Sequence, residues 1–243
     1  MAKLKVPSLQ HLARNWSADS GAISKDLVRL VRHPPIFNYN PVFSATFDLL
    51  LFKQPLSEVN EGIARAEKRE GVRNNFLEIV PLISDHFADV RPDFVNPVST
   101  RLYAIGPDLL VPFTPPLVYG VGGQLYFPWF SFWRSNPLRD MKLRLFVTLV
   151  DEVLKDDPDL EGAIFQILDF SALEPGKPRT LSIVNASDID PLPHEEKVAM
   201  LEVFADGYGK AKAILEAEPA STPKGGDEED DRYSDDLQPD LPF

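Results

Sequence analysis

The sequence predicts an α+β fold: a helical N-terminal half, a mixed β-sheet with packed helices in the second half, and a disordered acidic C-terminal tail. Three observations predict it. Through the first hundred residues, apolar side chains recur at helical spacing. From Arg101 the pattern changes to short apolar runs broken by Gly-Pro, Pro-Pro and Gly-Gly. After Glu218 apolar content collapses and Pro, Ser, Gly and acids take over, a composition that buries too little surface to offset chain entropy. The expected division is 1–100, mainly helical; 101–217, an α/β part sharing one core with it; and 218–243, the tail. A hydrophobic fraction of 44% over 243 residues is enough for a sizeable core.

Residues 8–33 read as two amphipathic helices, the second with Ile23, Leu27, Leu30 and Val31 on one face and Pro34 closing it. The segment 34–55 reads as irregular, pinned to the core by Phe37, Tyr39, Phe43 and Phe47. Ser57 is a fitting N-cap for a helix that ends at Gly71. Helical spacing continues over 72–90, where Pro81 must kink the helix or begin a new one. Strands follow at 102–105, 109–113, 117–121 and 124–133. Gly120-Val-Gly-Gly123 stands between two of them and reads as a hairpin turn, since a phosphate-cradling loop needs a helix N-terminus. Asn136 and Pro137 suit the N-cap and first position of a helix reaching 155. Strands at 163–170 and 180–184 precede a last helix from Pro193, whose middle is weakened by Gly207 and Gly209.

Charge narrows the function classes. The net charge is −12, and the stretch from Asp227 holds eight acids against Arg232, or −7. Residues 1–35 run the other way, with six bases against Asp19 and Asp26. A mildly acidic body argues against a large nucleic-acid footprint. The cationic residues Lys25, Arg29 and Arg32 are candidates for phosphate contact, against the simpler reading of a solvated face on a packed helix. The absence of cysteine excludes disulfides and thiolate chemistry and fits a cytoplasmic protein. No apolar run is long enough to span a bilayer. The four histidines have no metal-binding spacing, and no nucleophile elbow occurs, so no metal and no cofactor are expected.

The run 125–134 is unusually aromatic. Alternation places Phe127, Trp129 and Trp133 on one face and Tyr126, Phe130, Phe132 and Arg134 on the other. A solvent-facing side would give Trp129, Trp133 and Arg134 a role in stacking unpaired bases. Burial on both faces is the competing reading.

Two resemblances bear on function. The order helix, three strands, helix, strand from 72 to 170, with the literal Pro107-Asp108, resembles the core of PD-(D/E)XK nucleases. That resemblance implies a divalent metal held by Asp108, with Glu78 as a further carboxylate. The position of the (D/E)-x-K holds Gln124-Leu125-Tyr126, without acid or lysine, so the implied relative is degenerate and non-catalytic. The tail, ending Asp240-Leu241-Pro242-Phe243 behind Asp235 and Asp236, resembles the acidic tip of bacterial single-stranded DNA-binding proteins. In that family the tip is a docking peptide for replication, repair and recombination proteins. The resemblance implies genome-maintenance partners with a pocket for Phe243, and its terminal carboxylate, above a basic rim. The body is unlike that family's compact barrel. The reading is a non-enzymatic DNA-metabolism protein, single-stranded DNA-binding or accessory, that docks through its tail. Its alternatives are a metal-dependent nuclease or degenerate relative, and a cytoplasmic interaction domain unrelated to DNA.

Overall fold

A computed structural model of the chain describes residues 4–35, 37–106 and 109–217. Asp108, and the whole of 218–243 with its Asp-Leu-Pro-Phe end, lie outside the described residues. Among the described residues the fold is α+β: seven α-helices and a mixed five-stranded sheet with helices packed on both faces. None of these helices is long and apolar enough to cross a membrane.

The helices are α1 (Leu9–Asn15), α2 (Ser20–Arg32), α3 (Asn40–Leu50), α4 (Leu56–Ala66), α5 (Glu70–His86), α6 (Asp140–Lys155) and α7 (His194–Ala217). The strands are β1 (Phe94–Asn96), β2 (Arg101–Ile105), β3 (Leu109–Phe113), β4 (Val118–Val121), β5 (Gln124–Ser131), β6 (Ile164–Asp169) and β7 (Ser182–Asn185). The sheet order is β1-β4-β5-β6-β7, with β2 and β3 forming a separate hairpin. β5 and β6 are parallel and joined through α6; the other neighbours are antiparallel.

Each face of the sheet has its own core. One gathers α1, α2, α6, α7 and the β2–β3 hairpin, and the other gathers α3, α4 and α5. β5 divides its residues between them by the period of two: Phe127 and Trp129 enter the first, and Phe130 with the following Phe132 the second. Residues from 1–100 and from 101–217 meet in both.

Several local expectations change. The segment 34–55 contains α3, because Pro41 sits in the first turn, where its missing N–H has no intrahelical partner to lose. α4 begins at Leu56 with Pro55 as N-cap, two residues ahead of the expected Ser57. α5 continues past Pro81 as a single element, so no new helix begins there. α6 starts at Asp140, with Asn136 instead making a local turn in which its Oδ1 accepts from Leu138 N at 2.8 Å. β1 is an addition, and its Phe94 ring lies so close over Gly120 that a Cβ there would meet it at 2.3 Å. The next two glycines, Gly122 and Gly123, have φ of 57° and 81° and form the two-residue β4–β5 turn.

Candidate functional site at the carboxyl ends of β5 and β6

β5 ends at Ser131 and β6 at Asp169, and these two are direct partners in the parallel register. The carboxyl ends of parallel strands are where open α/β sheets place ligands. The chain segments leaving this end carry Arg134 and Asn136 after β5, and Ser171 and Arg179 after β6. From the layer beneath, α5 contributes Asn75 and, one turn on, Glu78.

Arg179 is the centre of the group. Its side chain is wholly buried. Nη1 donates to the carbonyls of Phe170 at 2.9 Å, Phe132 at 3.0 Å and Trp133 at 3.3 Å. Nη2 donates to Asn75 Oδ1 at 2.5 Å, and Asn75 Nδ2 donates to the Tyr39 hydroxyl at 3.0 Å. That hydroxyl in turn donates to Phe132 O at 3.2 Å. The planar guanidinium thus satisfies carbonyls that β5 and β6 expose where the ladder stops, a role a lysine's single point cannot fill. Its charge is balanced by Glu78, whose Oε2 stands 3.8 Å from Nε. The same oxygen accepts from Arg134 Nη1 at 3.0 Å.

Beside this clamp, Asp169 is buried, and its Oδ2 accepts from Ser171 Oγ and Asn136 Nδ2, both at 2.9 Å. Burial pushes its pKa above the ordinary carboxylate value, with the Ser171 and Asn136 hydrogen bonds opposing. A second polar cluster joins α6, α7 and the hairpin. There Lys197 Nζ donates to both Glu152 oxygens at 2.7 and 2.8 Å, and the Tyr103 hydroxyl donates to Oε2 at 2.6 Å. In both clusters the hydrogen bonds run mainly between the cluster's own members, which suits holding elements together. Among the described residues no group of three His, Asp or Glu is placed to hold a metal ion.

The sequence-derived candidates fall as follows. Glu78 and Arg134, taken from different readings, are brought together as an ion pair. Lys25, Arg29 and Arg32 are exposed on α2, in the opposite helical layer from α5. Trp129 and Trp133 require a correction: they are 2% and 1% exposed, with α1 and α6 packed over them, so neither ring offers a face to a base. Both faces of the aromatic strand serve a core. Asp108, Asp235, Asp236, Asp240, Leu241, Pro242 and Phe243 lie outside the described residues. Sequence reasoning missed Asn75, Asp169 and Arg179. Asn75 carried a signal, a polar residue three positions after Val72 in an otherwise apolar stripe; Arg179 carried none, because its acceptors are backbone carbonyls distant in sequence.

Neither a protein-family model nor a curated protein matches the chain.

Proposed function

We propose that the protein is a non-enzymatic, cytoplasmic accessory factor of DNA metabolism, which docks on replication, repair or recombination proteins through its C-terminal segment 235–243. The observation that carries the reading is the run Asp240-Leu241-Pro242-Phe243 behind a strongly acidic stretch. Phe243 supplies an apolar anchor for a pocket. Pro242 holds Leu241 to extended geometry and so reduces the entropy lost on docking. Asp235, Asp236 and Asp240 favour a basic rim and speed encounter at low salt.

The body is consistent with a scaffold for this peptide. Glu78, a carboxylate on which the nuclease alternative relies, is engaged by Arg134 and Arg179. With the tryptophans buried and Arg134 paired with Glu78, the α2 cations are the described candidates left for contact with nucleic acid.

The test is affinity capture from a bacterial lysate with the intact protein and with one lacking Phe243. The intact protein should recover DNA-processing proteins that the shortened one loses. Recovery of the same partners by both, or of no DNA-processing protein by either, overturns the reading.

A further inference from the structure

The β2–β3 hairpin is hydrogen-bonded to no strand of the main sheet, and its outward side is apolar. Alternation turns Leu102 and Ala104 of β2, with Leu110 and Pro112 of β3, away from the core. Leu102 pairs with Pro112 and Ala104 with Leu110, so the four form one patch. Leu102 is 60% exposed and Leu110 49%.

The two edges of the hairpin differ. Pro112 has no N–H, so its pairing with Leu102 is of the kind that exchanges no hydrogen bond. The ladder bonds therefore fall at Arg101, Tyr103 and Ile105, and the backbone N–H and C=O of Leu102 and Ala104 point away from β3. Among the described residues neither bonds to another element. On the far edge of β3 the same proline removes a donor and blunts that edge. A groove of about 520 Å³ follows the β2 edge: the four β2 residues from Arg101 to Ala104 line it, none of β3 does, and the carboxyl end of α6 forms its other wall. That wall carries three acids. Glu152 is held by Lys197 and Tyr103, and Asp157 by Arg101. Asp156, the exposed C-cap of α6, has no ion-pair partner among the described residues, and it stands at the negative end of the helix dipole.

We infer that the free edge of β2 takes an extended peptide of another protein as an added strand, with apolar side chains on one face and a lysine or arginine on the other. The strand lies about 4.8 Å from β2 and bonds to the backbone of Leu102 and Ala104. Its apolar side chains extend the Leu102–Leu110 patch, and its cation meets Asp156. A second copy of this chain lacks that cation, since its β2 brings only Arg101, which Asp157 and Ser99 already hold. The protein's own stretch from Asp227 brings like charge. The edge uses no part of 235–243, so it stands apart from the partner-docking reading above.

Fluorescence anisotropy of the full chain with the labelled peptide Thr-Val-Lys-Val-Thr-Val tests it, the valines sharing one face and the lysine the other. Binding should saturate, and glutamate in place of the lysine should weaken it about tenfold. Asp156→Asn should weaken it about threefold and shrink the preference for lysine. Ala104→Pro removes an outward N–H while sparing the β2–β3 ladder, and should cost about tenfold. N-methylation of the valines, or of the other three residues, blocks one edge of the peptide at a time without touching the protein; one of the two should cost about tenfold and the other little. No saturable binding up to about 1 mM peptide, or binding indifferent to N-methylation and to charge reversal, overturns the inference. A dimer in sedimentation that Ala104→Pro dissociates overturns it in favour of a second copy. Removing Phe243 should leave peptide binding unchanged, so loss of partner capture and loss of peptide binding are separate results.

Discussion

Arg134 donates to Glu78 at 3.0 Å, joining the segment after the central strand to a helix in the layer beneath it. Both side chains are about a third or more exposed, 31% and 42%, so the pair itself contributes little. Its importance lies in what stands behind it. Glu78 also faces the buried Arg179, and with Arg134 it forms the solvent-side border of the clamp that closes the strand ends.

Arg179→Met should destabilise the protein by about 3 kcal/mol, because it takes the guanidinium donor from Asn75 and from the carbonyls of Phe170, Trp133 and Phe132, of which Phe132 keeps the Tyr39 hydroxyl. Arg179→Lys should recover only part of this, since an ammonium lacks the planar fork. Urea unfolding of the two variants checks the order. A loss below about 1 kcal/mol for the methionine variant would show that the carbonyls find other donors.

Two carboxylates, the buried Asp169 and the partly exposed Glu152, should give opposite pH slopes. Asp169 has a folded pKa raised by burial above its ordinary 3.8, so the fold favours its neutral form. That contribution is present below about pH 3.8 and is lost as pH rises through the folded value. For Glu152, burial pushes upward, but the Lys197 and Tyr103 hydrogen bonds outweigh it and hold the pKa below 4.5. Its contribution is present above about pH 4.5 and is lost as pH falls through the folded value. Relative to Asp169→Asn, the wild type should lose stability as pH rises from about 4 to 6. Relative to Glu152→Gln it should gain, by about 1 kcal/mol, since the carboxylate is partly solvated. Denaturant titrations across that range measure both differences.

Gly207 and Gly209 should respond in opposite directions to alanine. A Cβ on Gly207 would lie 2.8 Å from Ile23 and 2.9 Å from the Ser20 carbonyl, forcing α2 and α7 apart. Gly207→Ala should therefore cost about 1–3 kcal/mol despite its gain in helix propensity. A Cβ on Gly209 meets nothing within 4 Å, so Gly209→Ala should stabilise by about 0.5–1 kcal/mol. Thermal unfolding of the two single variants decides it.

Much of the fold was legible because its signals are local. The change of period at Arg101, the Gly122-Gly123 turn and the alternation along 125–134 all appear as read. α3 was hidden because Asn40-Pro41 resembles a turn, although the same dipeptide suits a helix start. The fate of the aromatic strand was decided by long-range packing: α3 to α5 cover one face and α1 with α6 the other, and no pattern within 125–134 encodes that cover. The candidate site divided in the same way. Glu78 and Arg134 were visible as charges, but they stand 56 residues apart, and the Arg179 that Glu78 also faces lies 45 residues beyond Arg134.

The contact of Gly207 with Ile23 also orders events in time. The apolar face of α2, with Ile23, Leu27 and Val28, finds its main cover only in α7. About 180 residues separate the two, which at ribosomal speed is on the order of 10–35 s. Throughout that interval the nascent chain carries an amphipathic helix without its main cover. α2 is thus sealed only once α7 has been made, and a synthesis halted before α7 leaves a sticky stub for chaperones to hold.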